Sequence, residues 1–245
     1  MCGRFTLTAS AQDIQAAFGL ADLPEISPRY NIAPSQAVAA LLIPSSQSRP
    51  QFAWLRWGLI PRWAKDAKIG DRLINARSET AAEKPAFRQA LQGQRCLILA
   101  DGFYEWQGPK SPKQPHYFHL PERSLFAFAG LWDTWRSPEA IHTCTILTAP
   151  AAATVRPVHG RMPAIVPPQA YGQWLDPQRT DPQQALALLA PDLAGQLRHY
   201  PVSDTVNNPR HEVAACLEPA PSLPRLSPNP SPRFVEAVSP DRLKR

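Results

Sequence analysis

Apolar residues along this chain come in short runs, many of them alternating with polar ones, and most runs stop at a proline or glycine. GRFTLT, AVAALLI, QFAWLRW, RCLILA, FYEW, LFAFAGL, HTCTILT and MPAIV have this character, and the pattern predicts strands separated by turns. Helical spacing is rarer. ASAQDIQAAF follows a capping candidate at Ser10, and SETAAEKPAFRQALQG predicts a helix from Ser78 to Gly93 with Pro85 disturbing its middle; DPQQALALLA is a third. Strands that follow one another without regular strand–helix alternation predict an α+β fold, a single domain of mostly antiparallel sheet. No internal repeat, GxGxxG or phosphate-binding loop is present, so no nucleotide cofactor is implied, and none of another kind.

The pattern fades at Pro219. Residues 219–245 carry 7 prolines in 27 positions and no apolar periodicity, which predicts a folded unit over 2–218 and a disordered Pro/Ser-rich basic tail over 219–245. The chain of 245 residues has a net charge of +6, but the tail's five Lys/Arg against two Asp/Glu supply half of it. Global charge therefore permits an anionic partner without demanding one. Neither a charged-then-apolar leader nor a long apolar run is seen, so no signal peptide and no membrane contact are expected. The four cysteines (Cys2, Cys96, Cys144 and Cys216) are scattered with no CxxC pair, which fits a reducing cytoplasm. His116 and His119 form an HxxH in a strand-like run, a poor setting for a metal, and none is expected.

Candidate chemistry begins with MCGRFTLT. If Met1 is removed, Cys2 presents a free α-amine and a thiol on adjacent carbons; otherwise it is a small residue in a frayed terminus. Five further stretches are polar where a core would be apolar: RYNIAPSQ, WGLIPRWAKD, LINARSET, DGFYEWQ and VHGRMP. In DGFYEWQ, Glu105 stands among Phe103, Tyr104 and Trp106. Lost hydration there raises a carboxyl pKa toward neutrality and suits proton shuttling, unless the side chain reaches solvent from an edge strand. His159 is catalytic or structural; Asn75 orients a substrate or ties down a turn. Asn75 and Arg77 share a face if a strand runs through them. Trp57 and Trp63 either stack bases or belong to the core.

MCGRF, RYNIAPSQ, WGLIPRWAKD, LINARSET, DGFYEW, GLWDTW, HGRMPAIV and VNNPR, in this order over about residues 2–218, resemble the SOS-response-associated peptidase (SRAP) family. The resemblance implies a barrel-like sheet with a few flanking helices and a DNA-binding groove. It implies a sensor of abasic sites in single-stranded DNA that forms a covalent thiazolidine through an N-terminal cysteine and shields the lesion from strand cleavage. Carried over, Cys2 is the nucleophile and Asn75, Glu105 and His159 its helpers. Arg4, Arg77 and Arg161 match phosphate-binding positions, and Asn31, Pro34, Trp63 and Thr148 fall in segments lining the groove. Two departures bear on DNA contacts: Gly160 stands where an acidic or amide residue often follows the histidine, and LTAPAAATV is poor in polar residues. A monomer is expected, cytoplasmic and nucleoid-associated if bacterial, with replication or repair proteins as candidate partners of the tail.

The chemistry suits those residues. An α-amine titrates near ~7.8, so about a tenth of it is free base at pH 7, a few hundred-fold more than a lysine offers. It attacks an aldehyde to give an imine, and the neighbouring thiol closes a five-membered ring intramolecularly, where effective molarities reach ~10⁵ M. Two other readings stand beside this one: an N-terminal thiol peptidase or autopeptidase that removes Met1, and a noncovalent module for single strands.

Overall fold

Each of the eight apolar runs carries a strand in the computed structural model, which describes residues 2–44, 49–109, 112–136, 139–189 and 194–221. In chain order the elements are β1 (Arg4–Leu7), α1 (Ala11–Phe18), β2 (Arg29–Ile32), β3 (Ala37–Leu42), β4 (Gln51–Trp57) and β5 (Asn75–Arg77). Then come α2 (Arg88–Gly93), β6 (Arg95–Ala100), β7 (Gly102–Gln107), β8 (Gln114–His119), β9 (Phe126–Arg136) and β10 (Ala140–Pro150). The remainder are β11 (Arg161–Pro163), β12 (Ile165–Val166), α3 (Tyr171–Leu175), α4 (Pro182–Leu186) and β13 (Arg198–Pro201), with short 3₁₀ turns between.

Two sheets share the core. In one, β10, β4, β3, β6 and β9 pair in that order and β9 returns to β10, closing a five-stranded barrel. Closure leaves these strands no open edge. All of its pairings are antiparallel except β10 with β4, and β5 joins β10 in parallel as well. The approach of β9 to β6 needs a residue without a side chain: a Cβ at Gly130 would stand 2.5 Å from the Cys96 sulfur. The second sheet is open and wholly antiparallel, in the order β13–β8–β7–β1–β2. Phe5 on β1 joins the two, packing edge-on against Trp57 at 5.3 Å and Phe128 at 5.5 Å, geometry that adds to the area such rings bury.

Two of the three expected helices begin at their signals, though α4 ends at Leu186, short of the run that predicted it, and α3 was not expected. At α1 the Ser10 hydroxyl accepts from the Asp13 N–H and Asp13 reaches back to the Ser10 N–H, with Gly19 left-handed at the far end. Asp181 caps α4, and Pro182 occupies its first turn. The helix predicted from Ser78 is corrected. Only Arg88–Gly93 is helical, and residues 78–87 form turns. Pro85 supplies no N–H and disfavours helical geometry at Lys84, so the helix starts beyond it. At the other end, Pro219 bridges Val202 and the Ala220 N–H donates to Pro201 O at 2.9 Å, so the first residues of the expected tail are paired. Residues 222–245 lie outside the described residues. Among the described residues no helix is long and apolar enough to cross a membrane.

Candidate functional site

The site lies where the open sheet meets a ribbon appended to the barrel. On that ribbon β10 is flanked by β5, pairing Thr148 with Arg77, and by β11, pairing Pro150 with Arg161. Side chains alternate along a strand, and residues paired across strands share a face. Asn75, Arg77, Thr148 and Arg161 therefore occupy one face, while Ala76, Leu147 and Met162 turn the other way into the core. The same-face reading of Asn75 and Arg77 holds because β5, only three residues long, runs through both.

From the other side, β1 pairs with β7 so that Arg4 lies opposite Tyr104 and Phe5 opposite Phe103. This carries Cys2 to the ribbon: the Asn75 Nδ2 donates to Cys2 O at 2.8 Å. The Asn75 Oδ1 is buried without a hydrogen-bond partner among the described residues. Cys2 is fully buried, and burial followed by the charge of Glu105 pushes its thiol pKa up, so the resting sulfur is a thiol.

Glu105 is only 2% exposed, because β7 is the central strand of the open sheet. The alternative of an edge glutamate reaching solvent is thereby excluded. Burial raises its carboxyl pKa, and neighbouring His159 pulls it partly back. The His159 Nδ1 stands 3.9 Å from the Glu105 carboxylate and 2.9 Å from Arg161 O. The loop carrying His159 is tied to β7 by the Gln107 amide, which donates to Pro157 O at 3.1 Å. Cys2, Asn75, Glu105 and His159, far apart in the chain, thus converge on one place. A Cβ at neighbouring Gly160 would meet nothing within 4 Å, so the missing acidic or amide side chain is a chemical difference and leaves the backbone unconstrained.

The other named residues divide by exposure. Arg77 is exposed and meets no carboxylate among the described residues. Arg161 is paired with Glu79 at 2.8 and 2.9 Å, and this guanidinium holds the Glu79 carboxyl down at about 2. Arg4 donates to Asn31 Oδ1 at 3.0 Å and Val206 O at 2.8 Å. Asn31 is buried and donates to the carbonyls of Asn208 and His211, each at 3.0 Å. Thr148 is likewise buried, whereas half-buried Pro34 lies in the turn after β2.

The tryptophans split. Trp57 is a core residue, and Trp63 is 55% exposed on a turn pinned by Arg62 to Asp133 at 3.0 Å. The sequence reading passed over Glu79, Gln107 and Glu212. Glu212 accepts from the Asn31 N–H at 2.8 Å and pairs with Arg29 at 2.8 Å. Glu79 sat inside LINARSET and Gln107 inside DGFYEWQ, both in plain view; nothing local announced Glu212. Among the described residues no three His, Cys, Asp or Glu side chains are grouped to hold a metal.

Residues 1–209 match the family described as SOS response associated peptidase (SRAP). The chain is 44% identical over 225 residues to the abasic site processing protein YoqW of Bacillus subtilis, covering 89% of this chain and 99% of that one. It is 31% identical over 262 residues to the abasic site processing protein HMCES of Xenopus tropicalis, covering 89% and 78%. Among solved structures, a protein from Bacteroides thetaiotaomicron superposes with a TM-score of 0.78 at 23% identity, over 89% of this chain and 100% of that one; it shares the fold. A phage-related protein from Bordetella bronchiseptica gives 0.67 at 30% identity, over 82% and 94%. With its barrel, its open sheet and this match across most of its length, the chain belongs to the SOS response associated peptidase family.

Proposed function

We propose that this protein processes abasic sites in single-stranded DNA by linking itself to the ring-opened sugar through Cys2 after loss of Met1. The relatives named as abasic site processing proteins support the reaction class. The observation that carries the chemistry is Asn75, which holds the Cys2 carbonyl with its amide N–H while its own buried oxygen has no partner among the described residues. A buried acceptor left empty is costly and calls for a donor, and the α-amine of Cys2 or a sugar hydroxyl supplies one.

The steps follow from the groups present. The α-amine adds to the aldehyde carbon to give a carbinolamine, and protonated Glu105 delivers a proton to the departing hydroxyl, releasing water; the nitrogen proton then returns to the Glu105 carboxylate, leaving a neutral imine. The raised pKa of Glu105 keeps that proton available nearer neutrality. The Cys2 sulfur then adds to the same carbon and its proton passes to the imine nitrogen, closing the thiazolidine. A thiol whose pKa is raised keeps its proton until that step. His159, beside Glu105, acts on the ring-opened sugar oxygen. The imine also acidifies the adjacent sugar carbon and invites strand cleavage by β-elimination; sulfur closure competes with that loss.

The test mixes purified protein with an oligonucleotide carrying one abasic site and resolves the products on a denaturing gel, with mass spectrometry of residue 1 alongside. A denaturation-resistant species on protein lacking Met1 is the expected result. Cys2→Ser, which keeps the amine, is expected to lose the stable species and to raise strand cleavage. Release of every strand by protein with a free Cys2 overturns the reading in favour of noncovalent binding. An N-terminally blocked precursor that trims itself in purified form assigns Met1 removal to the same thiol.

A further inference from the structure

Arg161 is the least available cation on the β5–β10–β11 ribbon. A guanidinium has five N–H donors. The Nη1 and Nη2 of Arg161 meet the two Glu79 oxygens side by side at 2.8 and 2.9 Å. Its Nη2 also donates to Thr148 O at 2.7 Å, and its Nε lies 3.3 Å from the Thr148 hydroxyl. Among the described residues this leaves one donor unused. The fork that Glu79 fills is the one a phosphate takes in bidentate recognition.

The pair is built to open from one side. The Glu79 side chain is 45% exposed against 19% for Arg161, so the carboxylate stands between the guanidinium and solvent. The backbone beneath is anchored, since the Ser78 N–H donates to Thr148 O at 2.9 Å. Glu79 can therefore swing into water by side-chain rotation alone, with Arg161 still held by Thr148. On the other flank of Thr148, exposed Arg77 meets no carboxylate among the described residues.

We propose that Glu79 is a stand-in for a DNA phosphate, occupying the Arg161 fork in the free protein and yielding it to the backbone of a bound strand. This rests on the single-strand reading above and adds a gate to it. Arg77 offers the first phosphate contact; a second forms only when the strand displaces Glu79, which lowers affinity for strands that engage the ribbon incompletely. In the wild-type protein a phosphate gained at Arg161 is matched by a carboxylate released, so this contact adds nothing to the salt dependence of binding.

The experiment measures binding of an undamaged single-stranded oligonucleotide, which separates strand affinity from crosslinking, across a series of salt concentrations. Glu79→Gln is expected to bind about tenfold tighter, with a slope of log K against log salt steeper by ~0.7, one additional phosphate. The gain is expected to vanish when Arg161→Gln is added. Glu79→Ala serves as a second variant with the same expectation, and thermal melting confirms that each folds. Equal or weaker binding by both Glu79 variants overturns the proposal, as does tighter binding that survives Arg161→Gln. A wild-type protein that does not bind the strand at all overturns the single-strand reading itself and the gate with it, an outcome seen in the control alone.

Discussion

A carboxyl group buried in the centre of a sheet has consequences for both chemistry and stability, and at Glu105 they oppose each other. Its raised pKa means that the fold prefers the protonated form. The stability this contributes is fully present below the unfolded pKa of about 4.3 and is lost as pH rises through the higher folded value. Glu105→Gln, neutral at every pH, is therefore expected to melt above the wild type at neutral and alkaline pH, by ~2–4 °C for each kcal/mol recovered. The difference is expected to close as pH falls toward 4, a trend that scanning calorimetry across pH reads directly. The same variant is expected to slow crosslinking by about 10²-fold or more. Three flanking aromatics made Glu105 conspicuous in the sequence, yet nothing there distinguished a central strand from an edge. Glu79 is the reverse case: its pairing sets its pKa, and its neighbours in LINARSET do not show which arginine it meets.

Among the elements, α2 and α3 depend on a side chain outside both. Buried Arg95, at the start of β6, donates to the carbonyls of Leu91, Gln92, Trp174 and Asp176, binding the ends of the two helices to the barrel. Helices of this length do not hold by propensity. Arg95→Met is expected to leave those carbonyls unpaired and to cost about 3 kcal/mol or more in urea unfolding. At temperatures where the variant remains folded its crosslinking rate is expected to be unchanged, since Arg95 touches none of the site residues. Elements with strong local signals were legible beforehand. Ser10 with Asp13 marks α1, and alternating or continuous apolar runs mark the strands. By contrast β5 and α3 are too short to show a period, and the helix from Ser78 failed at Pro85.

Over the whole molecule, the two sheets sort similar residues into different roles. Trp57 and Trp63 come from one motif, but the first lies beneath Phe5 in the shared core and the second stands out on the turn held by Arg62 and Asp133. Trp63→Ala is expected to weaken single-strand affinity by ~1–3 kcal/mol, the worth of one stacked base, with no change in melting temperature. Trp57→Ala is expected to cost ~3–5 kcal/mol of stability. Paired binding titrations and thermal melts separate these effects. The same division applies to the polar residues. Arg4, Asn31 and Glu212 spend their hydrogen bonds fastening the segment from Val206 to Glu212 against β1 and β2, while Arg77 keeps its charge toward solvent.

Strand positions, the cap of α1 and the motifs that mark the family were all encoded within a few consecutive residues, because side-chain alternation, capping and turn chemistry are local. The meeting of Cys2, Asn75, Glu105 and His159 was not. It depends on the register of β1 against β7 and of β5 and β11 against β10, pairings between segments distant in the chain. Burial and charge pairing follow from those registers. For that reason only the folded chain made Glu105 a buried acid, Asn31 an internal fastening and Arg161 a cation already occupied.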